Sequence, residues 1–382
     1  MKHRVWILAL VTLLAACGGK SKVVKLPPAP LSEIAATMQP QRLWSVDLGS
    51  AIKGGDGQFV PVLVGETVFA AHPKGEVASI EAATGRRHWT ASVKGAVSAA
   101  PAVGEGLVVV GTEDGVAYAL DLKDGKPRWE SRLPSELLAP GAVDVGTVVV
   151  RTLDGGVHGL EVGDGKSRWS FKRESPALTL RGGAAPVMTL GAVLIGSDSG
   201  KVIAADVQNG RVLWETPIAQ PRGRTEIERL VDINTTPVLK EGVLYVAVYH
   251  NKIAALDIKG RRVAWSRDIL SQNALAADRD AVYVVDETDG VLALNRQTGA
   301  DVWKQEALLR RRLSAPVVAD DFVVVVDFEG YAHWLDRKSG RIAGRVRLGA
   351  AATGGVTSAG GMVFAMTKDG AVEAMSAGTA GK

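Results

Sequence analysis

A nine-residue phrase returns along this chain at a nearly fixed interval, and that interval governs what the chain can fold into. It reads D-L-K-D-G-K-P-R-W at 121–129. Related phrases stand at 81–89, 161–169, 206–214, 257–265, 295–303 and 336–344. The last ends in Gly344 where the others carry Trp, and in 257–265 the glycine comes one residue early, at Gly260. With Trp44 included, the final positions are 44, 89, 129, 169, 214, 265, 303 and 344, so the steps are 45, 40, 40, 45, 51, 38 and 41 residues. A period near 40 is that of a four-stranded propeller blade.

Each interval has the same internal order. In the second, Ala100-Pro101 is followed by a turn at Gly104-Glu105-Gly106, an apolar run over 107–110 and an Asp114-Gly115 turn. A short strand at 116–120 then enters the Asp124-Gly125 hairpin, where Gly supplies the positive φ of a tight reversal, and Trp129 follows on the fourth strand. No helical periodicity runs through these intervals; the pattern is strand and turn.

The ends of the chain complement each other. The stretch 42–48 is a Trp strand with no hairpin before it, and 355–359, 362–366 and 371–375 are three strands with no Trp strand after them. Joined, they make an eighth blade, and the free edges at the ends of the array disappear. The expected fold is all-β: an eight-bladed propeller of four-stranded antiparallel blades over 41–382, its last blade closed by the N-terminal strand. A length of 382 residues would otherwise suggest two or three domains, but the repeat places every blade in one ring.

The first residues are not part of that ring. Lys2 and Arg4 form a basic region, and 6–14 is an apolar run too short to span a bilayer. The following Leu14-Ala15-Ala16-Cys17 resembles the lipobox of bacterial lipoproteins, which implies removal of 1–16 and acylation of Cys17. An ordinary secretory signal with an incidental cysteine is the other reading. Cys17 is the only cysteine, so no intramolecular disulfide can form. Gly18 stands where similar lipoproteins held at the inner membrane commonly have Asp, which favours the periplasmic face of the outer membrane. Residues 17–40, with three lysines and Pro27, Pro28 and Pro30, read as the lipidated cysteine and a semi-extended, solvated tether, with one or two helical turns over 32–38.

The formal net charge of +4 becomes +2 once Lys2 and Arg4 are removed, too little and too dispersed for a nucleic-acid footprint. The densest basic cluster, Arg310-Arg311-Arg312, reads as a solvated loop.

The connections from each Trp strand to the next inner strand are the informative places. Measured from Trp to the next Pro, those after Trp89, Trp129 and Trp303 span 12, 11 and 13 residues. Those after Trp169 and Trp214 span 17 and 23. These two long connections are consecutive, so they emerge side by side on one face, and long loops in a compact repeat usually carry function. The first holds Leu178, Leu180 and Arg181; the second holds Arg222, Arg224, Glu226, Glu228, Arg229, Asp232 and Asn234. An apolar pair beside an Arg and an Asp is the composition of a binding centre. The alternative is that Leu178 and Leu180 plug the end of the ring while Arg181 pairs internally with Asp232.

Catalytic signals are weak. The phrase resembles the Trp-docking motif of the quinoprotein alcohol dehydrogenases, which implies a periplasmic quinone-dependent dehydrogenase as the competing function. That chemistry needs a calcium site and a catalytic carboxylate, and the aspartates here recur with the hairpins and read as structural. None of the six His forms a metal pair at helical spacing, and no nucleophile or phosphate-loop motif is present. No cofactor is expected.

The lipobox, the Pro-rich segment and eight such blades together resemble the BamB family of outer-membrane protein assembly lipoproteins. The resemblance rests on 178–182, 225–230, 232–237 and 329–334, the first three within the two long connections. It implies a non-catalytic scaffold of the β-barrel assembly (BAM) complex that binds the periplasmic POTRA domains of BamA and meets the other BAM lipoproteins indirectly. The contact positions it implies are Leu178, Leu180, Arg181 and Asp232; Asn234 stands where the family has a further Asp. Unfolded client proteins could add a strand to a blade edge, though no residue here speaks for it.

Overall fold

The computed structural model describes residues 26–52, 59–137, 139, 141–173, 178–180, 182–249 and 251–378; Cys17 with its leader and Arg181 lie outside the described residues. Among the described residues every regular element is a strand, and the strands form eight four-stranded antiparallel sheets. These are the eight blades the period demanded. The second blade is typical: Ala102–Gly104, Leu107–Gly111, Val116–Asp121 and Pro127–Arg132, paired in that order. The middle strands are buried on both sides, which is why their sequences are continuously apolar. Val108, Val110 and Leu120 of this blade pack in one cluster with Val68, Ile80 and Trp89 of the blade before it.

The eighth blade is composite. Thr357–Ala359, Met362–Met366 and Ala371–Ser376 are completed by Gln41–Asp47, with Trp44 opposite Ala374 and Ser45 opposite Glu373.

The repeated phrase locks neighbouring blades together. In the 121–129 copy, Asp121 Oδ1 accepts the Lys123 N–H at 2.9 Å, and the Gly125 N–H closes the turn onto Asp121 O at 2.9 Å. Trp89 of the preceding blade lies on that turn and donates its indole N–H to Leu122 O at 3.0 Å. A Cβ on Gly125, whose φ is 70°, would stand 2.5 Å from the Trp89 ring, so the glycine serves both the turn and the ring above it. Trp44, Trp129, Trp169, Trp265 and Trp303 donate to a carbonyl of the next hairpin in the same way. A one-residue bulge next to each Trp aims it out of its own sheet toward that hairpin.

Two sequence expectations change. Residues 32–38 form no helix, and 27–40 is not a free tether: Met38 is buried, and backbone N–H groups of Ala29, Thr37 and Met38 bond to Leu309 and Ala343. The Arg310–Arg312 cluster is not simply solvated either. Arg311 is 3% exposed and pairs with Asp327 at 2.7 Å and with Glu329, because a guanidinium taken out of water must be matched by carboxylates.

Candidate partner-binding face

In an antiparallel four-stranded blade, all connections from an outer strand to the next inner strand leave on one face, together with the turns between the two middle strands. The two long connections therefore share a face, and hydrogen bonds tie them to each other. Asp232 Oδ2 accepts the Leu180 N–H at 2.6 Å, and the Thr236 hydroxyl oxygen accepts the Ala185 N–H at 3.1 Å.

The sequence fixes this arrangement locally. Ile233 is fully buried against Gly196, where a Cβ would meet the Ile233 side chain at 2.4 Å. The Ile233 N–H bonds to Ser197 O at 3.1 Å, and Asp232 O accepts the Tyr249 N–H at 2.9 Å. Asp232 is thus held down inside the face, 1% exposed, with no hydrogen-bond partner for Oδ1 among the described residues. Burial pushes its carboxyl up to about 6; Asp198 adds to the rise, while the Leu180 N–H and Arg151 oppose it. Arg151, nearly buried, is fixed by Asp198 at 3.2 Å and reaches Ala184 O at 3.5 Å.

The predicted site residues therefore divide. Leu178 is 42% exposed, whereas Leu180 and Asn234 are half-buried and line the mouth of a central channel of about 770 Å³ with Gly182, Gly183 and Tyr249. Asp232 does not reach the surface at all; its carboxylate positions Leu180 rather than presenting a charge. Arg181 lies outside the described residues.

Sequence reasoning missed two contributors. Arg151 had no signal, since nothing in its own strand marks it as a neighbour of a connection two blades' phrases away. Ile227, 72% exposed, sits at the tip of the second connection on one turn held by a capping box. Thr225 Oγ1 accepts the Glu228 N–H at 3.2 Å, and Glu228 Oε2 accepts the N–H groups of Arg224 at 2.7 Å and Thr225 at 3.3 Å. The T-x-x-E spacing at 225–228 is legible and could have revealed it.

The family model described as outer membrane protein assembly factor BamB matches residues 32–132, 102–305 and 298–382. The chain belongs to the BamB family. The BamB of Pseudomonas aeruginosa is 45% identical over 342 residues, 90% of each chain. That of Salmonella typhimurium is 37% identical over 381 residues, 96% of each. The crystal structure of BamB from Moraxella catarrhalis is similar with a TM-score of 0.80 at 27% identity, covering 88% of this chain and 99% of that one. The quinohemoprotein alcohol dehydrogenase from Comamonas testosteroni, with a TM-score of 0.70 at 14% identity, covers 91% of this chain and 78% of that one and shares the propeller fold. Both BamB connections singled out above fall inside the matched residues.

Proposed function

We propose that this BamB-family chain is a non-catalytic scaffold of the BAM complex at the outer membrane, where it aids assembly and insertion of outer-membrane proteins. In this reading Cys17 is acylated and holds the chain on the periplasmic face, and the face of the two long connections binds the periplasmic POTRA domains of BamA. The observation that carries it is the bond between Asp232 and the Leu180 N–H, which ties two independent loops into one fixed surface bearing Leu178, Leu180 and Ile227. Exposed apolar side chains on tied connections, with Arg222, Arg224 and Glu226 exposed on the second of them, suit a folded protein partner, because little order is lost on docking. Titration of purified POTRA domains against wild type and Leu178→Ala tests it, with melting curves alongside. Weaker binding at an unchanged melting temperature supports the reading, and unchanged binding contradicts it.

A further inference from the structure

Residues 27–38 cross the outer edge of the seventh blade, whose outer strand is Ile342–Arg347. Thr37 and Met38 both donate to Ala343 O, at 2.9 and 3.2 Å, and the Ala29 N–H donates to Leu309 O at 2.9 Å. Three arginines take the segment's carbonyls: Arg310 Nε on Pro27 O at 2.7 Å, Arg311 Nη1 on Ala29 O at 2.9 Å and Arg345 Nη1 on Ser32 O at 3.4 Å. Arg311 is itself braced by Asp327 and Glu329, and Arg345 Nε by His333 Nδ1 at 3.1 Å. The chemistry is complementary. Pro27, Pro28 and Pro30 have no N–H to satisfy, so over 27–30 carbonyl acceptors outnumber the single Ala29 N–H, and the blade edge answers with guanidinium donors and the Leu309 carbonyl.

We propose that the sixth and seventh blades form a groove for an extended, proline-rich segment, filled in cis by 27–38, and that this docking fixes where the N-terminal end leaves the ring. Leu309 and Arg310 lie in the connection from the sixth blade's outer strand to the seventh blade's inner strand. The exit is therefore on the face of the long connections, three junctions round the ring from Leu180. The consequence for orientation rests on the proposed anchor at Cys17. With Pro27 pinned, the nine residues 18–26 reach only about 30 Å, so the partner-binding face is kept near the membrane instead of swinging freely on a long tether.

Hydrogen exchange on the mature full chain in detergent tests the groove. The Ala29, Thr37 and Met38 amides should exchange on the order of 100-fold more slowly than in a free peptide of the same sequence. Arg310→Ala combined with Arg345→Ala should bring them close to the peptide rate while the blade amides stay protected. Gly344→Trp, which fills the space under Met38 and Pro40, should do the same from the other end. Peptide-like exchange in the wild type overturns the groove. The orientation is read on vesicle-bound protein carrying a donor dye at Glu306→Cys, on the exit face, or at Leu190→Cys, on the opposite face. Stronger transfer to a vesicle-surface acceptor from 306 supports it, and equal transfer from both positions overturns it. Failure to bind vesicles at all would count against the anchor at Cys17, while the exchange rates still decide the groove.

Discussion

Pro40 lies where a side chain at Gly344 would go: a Cβ there would stand 2.7 Å from Pro40 Cδ and 2.9 Å from Met38 Cγ. Six Trp residues of the ring rest on the glycine of the next hairpin. No hairpin follows Gly344, because the eighth blade takes its outer strand from the other end of the chain. With no shelf for an indole, the position is glycine, and the incoming N-terminal segment fills the space. The one copy that lacks its Trp is thus the mark of ring closure.

Removing the closing strand should cost more than removing one lock. Trp89→Ala should destabilise by about 3–5 kcal/mol, as for other large aromatics lost from packed sites. Deletion of 41–47 should lower the melting temperature further, since it strips the pairing of Ala371–Ser376 and uncovers Phe364 and Val372. Thermal denaturation of the two variants checks the order; a deletion that melts with the wild type contradicts closure by this strand.

The period made the blade number and the composite eighth blade legible, because six Trp residues each rest on a glycine of the phrase one blade away. The two long connections were legible as loop lengths. What was not legible is which residues face out. Asp232 reads in the sequence either as part of a binding centre or as an internal partner of Arg181; Ile233 beside it anchors the segment under Gly196 and carries Asp232 inward. The packing of 27–40 was also hidden, since its backbone bonds are to Leu309 and Ala343, hundreds of residues away along the chain. Local composition there speaks only of prolines.

Asp232 should give stability a distinct pH dependence. Its carboxyl is raised from 3.8 to about 6 by burial, so the folded state holds its proton more tightly than the unfolded chain. Its contribution is full below 3.8 and is lost as pH rises to about 6, a fall on the order of 3 kcal/mol. Asp232→Asn keeps an acceptor for the Leu180 N–H and should remove that slope. The difference between wild-type and variant stability across pH 4–7 isolates it from His333, whose lowered pKa, caused by burial, works in the opposite direction.

Ile227 should matter to binding and little to folding. Ile227→Asp places a charge at an exposed tip whose turn is held by Thr225 and Glu228, so stability should shift by under about 0.5 kcal/mol. POTRA affinity should fall by about 1–2 kcal/mol if this loop meets the partner. Isothermal titration with melting curves checks both numbers; intact affinity removes Ile227 from the interface.

Cys17→Ser should leave the precursor uncleaved or release the chain from the membrane, because no other residue can take the lipid. Fractionation in high salt, with BamA absent, reads this directly. A variant that still sediments with outer membrane contradicts the anchor.

The central claim is that the connections joined through Asp232 and Leu180 form the BamA-binding surface. Titration of the purified POTRA domains against wild type, Leu180→Ala and Arg181→Glu tests it most directly. Both variants should bind more weakly by about 2 kcal/mol or more, with Arg181→Glu melting within a few degrees of wild type. Wild-type affinity in both variants would contradict the account, even with the propeller intact.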